Sequence, residues 1–364
     1  MTLLAAASPG EVRVAAVDDA GLRDYAIWRP GAPDGVGDLH RGRVIACVPA
    51  LAGAFVALGG GAEGFLPDSA GGAGVTAGQV LAVRITRAAQ GGKGPRLAAA
   101  TDAAAGTGAP ALLRRGPDAV QRLAALYPAA PVWADDAALV AALRPLLGER
   151  VRVVARAFDD ETEAAVAALA EPEADLPGGM RCHVYPTPAL TAIDLDLGAA
   201  AAERGGKASV HQAANRAALP ALARQIRLRN LSGAILVDLA GMSPKRRAAL
   251  GPDLAAALAD DPLRPKLLGF TALGLAEIVR PRVHPPLHEL LAGPHAAGLA
   301  ALRHLAAEIA ARPGRTPALA AAPAVVAALQ DDTAARADLA RRAGQPLILR
   351  SDPALAPLGW RIAE

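Results

Sequence analysis

TPALTAIDLD (residues 187–196), SVHQAANRAALPALARQIRLRN (209–230) and GAILVDLAGM (233–242) succeed one another along the chain. The first and third are short and rich in Ile, Leu and Val, the pattern of strands. The second has the length of a helix, although Pro220 inside it predicts a kink or a delayed start. Strand, helix, strand at this spacing is a βαβ unit, whose crossover joins parallel strands in the right-handed sense. Both strands end in aspartate: Asp194 and Asp196 on the first, Asp238 on the second. Residues two apart on a strand face the same side, so Asp194 and Asp196 project together. The carboxyl edge of parallel strands is where α/β proteins place ligands. Three carboxylates converging there repel one another unless a cation lies between them, and hard oxygen ligands suit Mg2+ or Mn2+. The same aspartates also read as caps of turns or of following helices, and spacing alone leaves both readings open.

Outward from this unit the pattern changes twice. Ser243-Pro244 predicts an N-cap and a first-turn proline, and Gly251-Pro252 splits the helix that follows into two pieces. Upstream, RVIACVPA (43–50), GAFVALG (53–59), GFLP (64–67), QVLAVRITR (79–87) and PRLAA (95–99) are short strands set apart by glycine clusters. Five such strands in so short a span predict a small closed barrel of the OB type. EVRVAA (11–16) and RDYAIW (23–28) read as a hairpin, and TDAAAGTGAP (101–110) as a linker. Between 110 and 175 helices alternate with short strands at PVWA and VRVVARA, and the tail from 316 reads as a small α/β unit with a strand at PLILRS.

Composition bounds the classes available. The chain has 364 residues, 52% hydrophobic and 20% charged, with a mean hydropathy of +0.26, which excludes an intrinsically disordered chain. No apolar run reaches the ~18 residues of a membrane span, and the N-terminus lacks the basic start and apolar core of a signal peptide. With only Cys47 and Cys182, a disulfide framework is excluded and a cytoplasmic location is the expectation. Arginine carries the basic charge, lysine occurring only at 93, 207, 245 and 266. A net charge of +3 permits a polyanionic partner without demanding one.

TPALTAIDLD, ANRAALPALARQIRLRNLSGAILVDLAGMSP and LLGFTALGLAEIVRPRV resemble the catalytic core of the ribonuclease E/G family. The resemblance puts that family's two magnesium-binding aspartates on Asp194 and Asp238, with Asp196 as an added ligand, and a helix asparagine on Asn215. GDLHRGRV, AFVALG, GFLP and KGPRL resemble the family's inserted S-one-type RNA-binding barrel, whose aromatic and basic RNA contacts fall on Phe55, Phe65 and Lys93. Without the resemblance, barrel core is the better reading of Phe55 and Phe65. Arg224, Arg227 and Arg229, and likewise Arg280 and Arg282, read as solvent-facing or as supports for the RNA backbone.

The implied architecture is α/β and multidomain. An RNase H-like domain (1–36 and 109–175) is interrupted by the OB barrel (37–100). A DNase I-like catalytic subdomain (176–290) and a small C-terminal α/β domain (291–364) follow. The implied activity is Mg2+-dependent, endonucleolytic cleavage of single-stranded RNA to 5′-phosphate and 3′-hydroxyl ends. The other reading is an RNA-binding protein that keeps the scaffold without the activity. The sequence departs from the family pattern where Asp196 replaces an asparagine, Gly241 replaces a second aspartate, and Ser209-Val210-His211 replaces an acidic stretch. The cysteine pair of the family's zinc link is missing, so no zinc is expected, and the oligomeric state is left open. The subdomain that grips a 5′-monophosphate with an Arg-Thr pair is missing too, since Thr101 and Thr107 have no arginine in their linker.

Overall fold

The computed structural model describes residues 1–197, 207–312, 314 and 318–363, with the side chains of 207–209 left aside. The replacement at Ser209 therefore lies outside the described side chains. Two compact units emerge, Met1–Pro33 with Asp118–Ala170 and His288–Glu364, and Asp34–Pro117 with Glu171–Leu287.

The chain opens with β1 (Thr2–Ser8), β2 (Glu11–Asp18) and β3 (Gly21–Trp28). The hairpin is the one expected, but β1 is additional. Its LLAAAS stretch carries little strand propensity, and it is a strand because burial on both faces imposes it. The barrel follows as β4 (Leu39–Val48), β5 (Gly53–Gly59), β6 (Ala62–Pro67), β7 (Val80–Arg87), β8 (Arg96–Ala99) and β9 (Ala111–Arg114). The order β5-β6-β8-β7-β4 closes on itself through a β4–β5 pairing, and Val44, Val56, Leu66, Val83 and Leu97 fill the interior. β9 pairs with β4, so residues 111–114 extend the barrel sheet. Asp38 fastens this end, accepting from Arg115 Nη1 (2.5 Å) and Gly116 N (2.6 Å).

Next come α1 (Ala119–Leu126), β10 (Val132–Ala134), α2 (Ala137–Leu147), β11 (Val151–Val153) and α3 (Asp160–Ala168). A reciprocal capping box between Asp118 and Gln121 starts α1. β10 and β11 run parallel to β1, giving the five-stranded order β11-β10-β1-β2-β3.

A second mixed sheet is built from β12 (Glu173–Leu176), β13 (Met180–Pro186), β14 (Thr191–Leu197), β15 (Gly233–Asp238), β16 (Lys266–Phe270) and β17 (Ala276–Arg280). Its order is β12-β13-β14-β15-β17-β16, and only β14 and β15 are parallel. Between them α4 (Lys207–Leu228) buries Ala214, Ala218, Leu219, Leu222, Ala223 and Ile226, the spacing of one helical face. The helix is unbroken through Pro220, so its start is not delayed to that residue. Pro220 and the Arg216 residue whose carbonyl it leaves unbonded are both exposed, so water can satisfy that carbonyl. α5 (Pro244–Ala248) and α6 (Gly251–Leu258) are the two expected pieces.

The tail holds α7 (Leu287–Leu290), α8 (Gly293–Ala311), β18 (Ala318–Ala321), α9 (Pro323–Asp331), α10 (Thr333–Ala343), β19 (Ile348–Ser351) and β20 (Trp360–Ile362). Its sheet, β19-β18-β20, has its own core around Leu299, Leu302, Leu319 and Val325. Among the described residues no helix is long and apolar enough to cross a membrane. Cys47 is exposed, whereas burial pushes the Cys182 thiol up. Under native conditions a thiol reagent should therefore label one cysteine quickly and the second only on unfolding, and fast labelling of both would contradict the packing around Cys182.

Candidate functional site

The register of β14 and β15 sets Asp194 directly beside Asp238. Adjacent strands lie about 4.8 Å apart and paired residues face the same way, so both carboxylates leave one side of the sheet, Asp194 midway along β14 and Asp238 at the end of β15. The pairing ends at this step, and Asp196 runs on beyond β15, opposite Arg181 of β13. Among the described residues no three His, Cys, Asp or Glu side chains converge in an arrangement that holds a metal ion. The register that sets Asp194 beside Asp238 carries Asp196 two residues past the end of β15.

Asp238 has a cationic neighbour that the sequence did not reveal. Arg247, from α5, brings Nη1 to 2.6 Å from Asp238 Oδ1, and its side chain is only 15% exposed. Neither Asp238 Oδ1 nor Arg247 Nε finds an aligned hydrogen-bond partner. Asn215, fully buried on α4, fixes the loop after β15: its Nδ2 donates to Ala240 O (3.0 Å) and its Oδ1 accepts from Ala240 N (3.1 Å). Asn215 is a positioning residue in this arrangement. One turn earlier, His211 lies against Gly241, where an added Cβ would stand 2.4 Å from the imidazole Nδ1. Gly241 also has a φ of +60°, so an aspartate there would meet both strain and the ring. The changes at 211 and 241 are therefore one packing solution.

On the barrel, Phe55 and Phe65 are cross-strand partners with ring centroids 5.5 Å apart at 63°. Both are half-buried, while Ala54, Val56 and Leu66 beside them point into the core. Alternation along a strand then turns the two rings outward. Lys93 is exposed at the tip of the β7–β8 connection, bridged to Gln90.

Several arginines offered as RNA supports are structural. Arg229 is buried and donates to Gln225 Oε1 (2.9 Å) and to the carbonyls of Glu171 and Glu173. Arg227 donates to Asp260 O (2.8 Å). Arg280 is 4% exposed and bound to Asp261, Asn230 and Leu231, so it is not a surface contact. Arg282 is half-buried and lies over Gly233.

Fold and site together define an α/β protein that joins a closed β-barrel to a mixed sheet bearing a lateral pair of carboxylates. Residues 138–283, which include that pair, match the Ribonuclease E/G family. The chain is 35% identical to ribonuclease E of a Nostoc species over 128 residues, 35% of this chain and 18% of that protein. It is 35% identical to ribonuclease E of a Synechocystis species over 125 residues, 34% of this chain and 18% of that protein. Ribonuclease G of Escherichia coli is 34% identical over 136 residues, 37% of this chain and 27% of that protein. Each match thus spans about a fifth to a quarter of the relative's length.

Proposed function

We propose that this protein is an endoribonuclease that cuts single-stranded RNA by metal-assisted phosphodiester hydrolysis. The observation that carries the reading is the lateral pairing of Asp194 with Asp238 inside the segment matched to the family. Two adjacent carboxylates, one with a buried oxygen lacking an aligned donor, suit Mg2+, which typically takes one or two carboxylates and keeps several waters. Such an ion supplies charge against the anionic phosphate and acidity to a water, favouring 5′-phosphate and 3′-hydroxyl products. Asp194 and Asp238 hold it, and Arg247 contributes positive charge beside them. Asn215 keeps the loop after β15 in place. The outward rings of Phe55 and Phe65 stack bases, and Lys93 meets a phosphate. The five-stranded sheet with β1–β3 antiparallel and β10–β11 parallel is read as the RNase H-like part, and the sheet holding the aspartates as the DNase I-like part.

A second reading, RNA binding without cleavage, is favoured by one observation: Arg247 already neutralises Asp238. Incubating the pure protein with a single-stranded RNA, with Mg2+ or with a chelator, separates the two. Cleavage that needs Mg2+ supports the nuclease, and tight binding without cleavage supports the rival.

Two further outcomes are expected. Phe55→Ala and Phe65→Ala should each weaken RNA binding by about 1–3 kcal/mol, the value of one stacked base, with little change in melting temperature. Unchanged affinity with a large stability loss would assign the rings to packing. Cleavage should also be indifferent to the 5′ end. The 101–110 linker is stitched along the barrel by Arg41, whose Nε donates to Ala105 O (2.8 Å) and Nη1 to Ala109 O (3.2 Å), leaving no separate subdomain there. RNAs carrying a 5′-monophosphate or a 5′-hydroxyl should be cut at similar rates, and a tenfold preference, about 1.4 kcal/mol, would contradict this.

A further inference from the structure

Most arginines of the second unit are tied to acids or carbonyls: Arg41, Arg84, Arg115, Arg216, Arg247 and Arg280 all have partners. Arg87, Arg96 and Arg282 are different. Among the described residues none of these three guanidinium groups makes a hydrogen bond or an ion pair, and Arg87 Nε is buried without a partner. They nevertheless stand together, for reasons visible in the backbone. A register shift between Ile85 and Arg87 makes Arg87 the cross-strand partner of Arg96, and a bulge of this kind re-aims the side chain that follows it. The next residue, Ala88, donates its N–H to Val283 O (2.8 Å), which brings Arg282 alongside. Gly233 supplies the slot for Arg282: an added Cβ there would lie 2.4 Å from Nη2.

Three like charges gathered without an acid repel one another, and burial together with Arg96 and Arg282 holds the Arg87 guanidinium below its ordinary value. A concentration of planar, five-donor cations suits a phosphate, which accepts charge-assisted and often bidentate hydrogen bonds. The position agrees. Arg96 is the ladder partner of Phe65, and Phe65 N donates to Pro95 O (2.9 Å), so the cationic cluster adjoins the outward aromatic pair. Arg282 marks the Gly233 end of β15, five residues and about 17 Å from Asp238 at strand rise.

We propose that Arg87, Arg96 and Arg282 form a phosphate cradle that seats the backbone of a single-stranded RNA between the Phe55–Phe65 platform and the aspartate pair. The proposal rests on the RNA reading above for its ligand, but not on cleavage. It fixes the strand several nucleotides from the scissile bond.

The test is equilibrium binding of single-stranded RNA across a salt series, using wild type, the three single Ala variants, the triple Ala variant and the triple Lys variant. Each lost contact should flatten the plot of log affinity against log salt by about 0.7, and the triple Ala variant by about 2. The Lys variant should keep most of the slope. Melting temperatures control for folding, and Arg87→Ala with Arg96→Ala, which spares the packed Arg282, is the fallback should the triple variant unfold. Three oligonucleotides of one sequence, with a 5′-monophosphate, with a 5′-hydroxyl and circular, identify the phosphate. Equal losses on all three place internal phosphodiesters in the cradle, whereas loss confined to the first places a terminal phosphate there. Wild-type affinity and slope in the triple Ala variant, while Phe55→Ala still weakens binding, would overturn the cradle and leave the RNA reading standing. Absence of RNA binding by the wild type would instead overturn the RNA reading. Inorganic pyrophosphate then decides the cradle: it should raise the melting temperature of the wild type and not of the triple Ala variant, and no rise in either overturns it.

Discussion

Asp194→Asn and Asp238→Asn should each lower RNA cleavage by about 100-fold or more while leaving RNA affinity within a few-fold of wild type. Each removes one anionic oxygen ligand whose own side chain lies outside the core that Ile193, Leu195, Val237 and Leu239 fill beside it, and ligand charge at such a site is worth several kcal/mol in the transition state. Asp194 is the cleaner test because it is exposed, whereas Asp238 also gives up its ion pair with Arg247. That pair is half-exposed on the aspartate side, so its loss alone should cost little stability. Asp196→Asn should be mild, since Asp196 lies past the end of β15. Single-turnover cleavage at saturating RNA, with and without added Mg2+, reads all three variants. Wild-type rates in both Asp194→Asn and Asp238→Asn would remove the aspartate pair from the mechanism, and a collapse in Asp196→Asn would make Asp196 an essential ligand.

The neighbourhood of Asp238 bears on why the departures from the family pattern come together. His211 lies where a side chain at 241 would project, and Arg247 supplies the charge nearest Asp238. With Arg247 paired to Asp238, the guanidinium favours phosphate at the site and competes with a cation for the same carboxylate. Arg247→Ala should accordingly lower the Mg2+ concentration needed for half-maximal cleavage. An unchanged or higher requirement would show that Arg247 does not compete.

How much of this was legible depended on where the information lay. The barrel strands were readable because glycine clusters separate segments whose alternation is local. The aspartate pair was readable because two strands of one βαβ unit are short and in sequence. β1, β9, β12, β13, β16, β17, β18 and β20 were not read as strands. The LLAAAS of β1 owes its strand to burial rather than to propensity, whereas MRCHVYP of β13 alternates apolar Met180, Cys182 and Val184 with polar Arg181 and His183, a strand signal that was legible and went unread. Arg247 beside Asp238 was invisible since α5 turns a basic run back over the strand end, a tertiary fact. Arg280 and Arg282 show the limit most sharply. They are separated by one proline in IVRPRV, yet one is sealed in the core and the other is unpaired.

Arg280 therefore carries the largest stability prediction. Its Nε donates to Asp261 Oδ2 at 2.6 Å and its Nη1 to Asn230 Oδ1 at 2.6 Å, with side-chain exposures of 4% for Arg280 and 6% for Asp261. Asn230 is held at a φ of +47°, a conformation that asparagine tolerates better than most residues, and it donates Nδ2 to the carbonyls of His284 and Pro285. One guanidinium thus joins the end of β17 to the turn after α4 and to the loop after α6. Arg280→Ala strips the counter-charge from a buried carboxylate, which costs about 3–5 kcal/mol. Arg280→Lys should recover only part, because an ammonium group cannot meet Asp261 and Asn230 in the same fork geometry. The double variant Arg280→Met with Asp261→Leu removes both charges and should return most of the loss, since what is expensive is the solitary charge rather than the missing pair. Urea midpoints followed by fluorescence read the series. Were Arg280→Ala to keep the wild-type midpoint and lose RNA affinity instead, Arg280 would be a contact of the RNA backbone and not the internal brace described here.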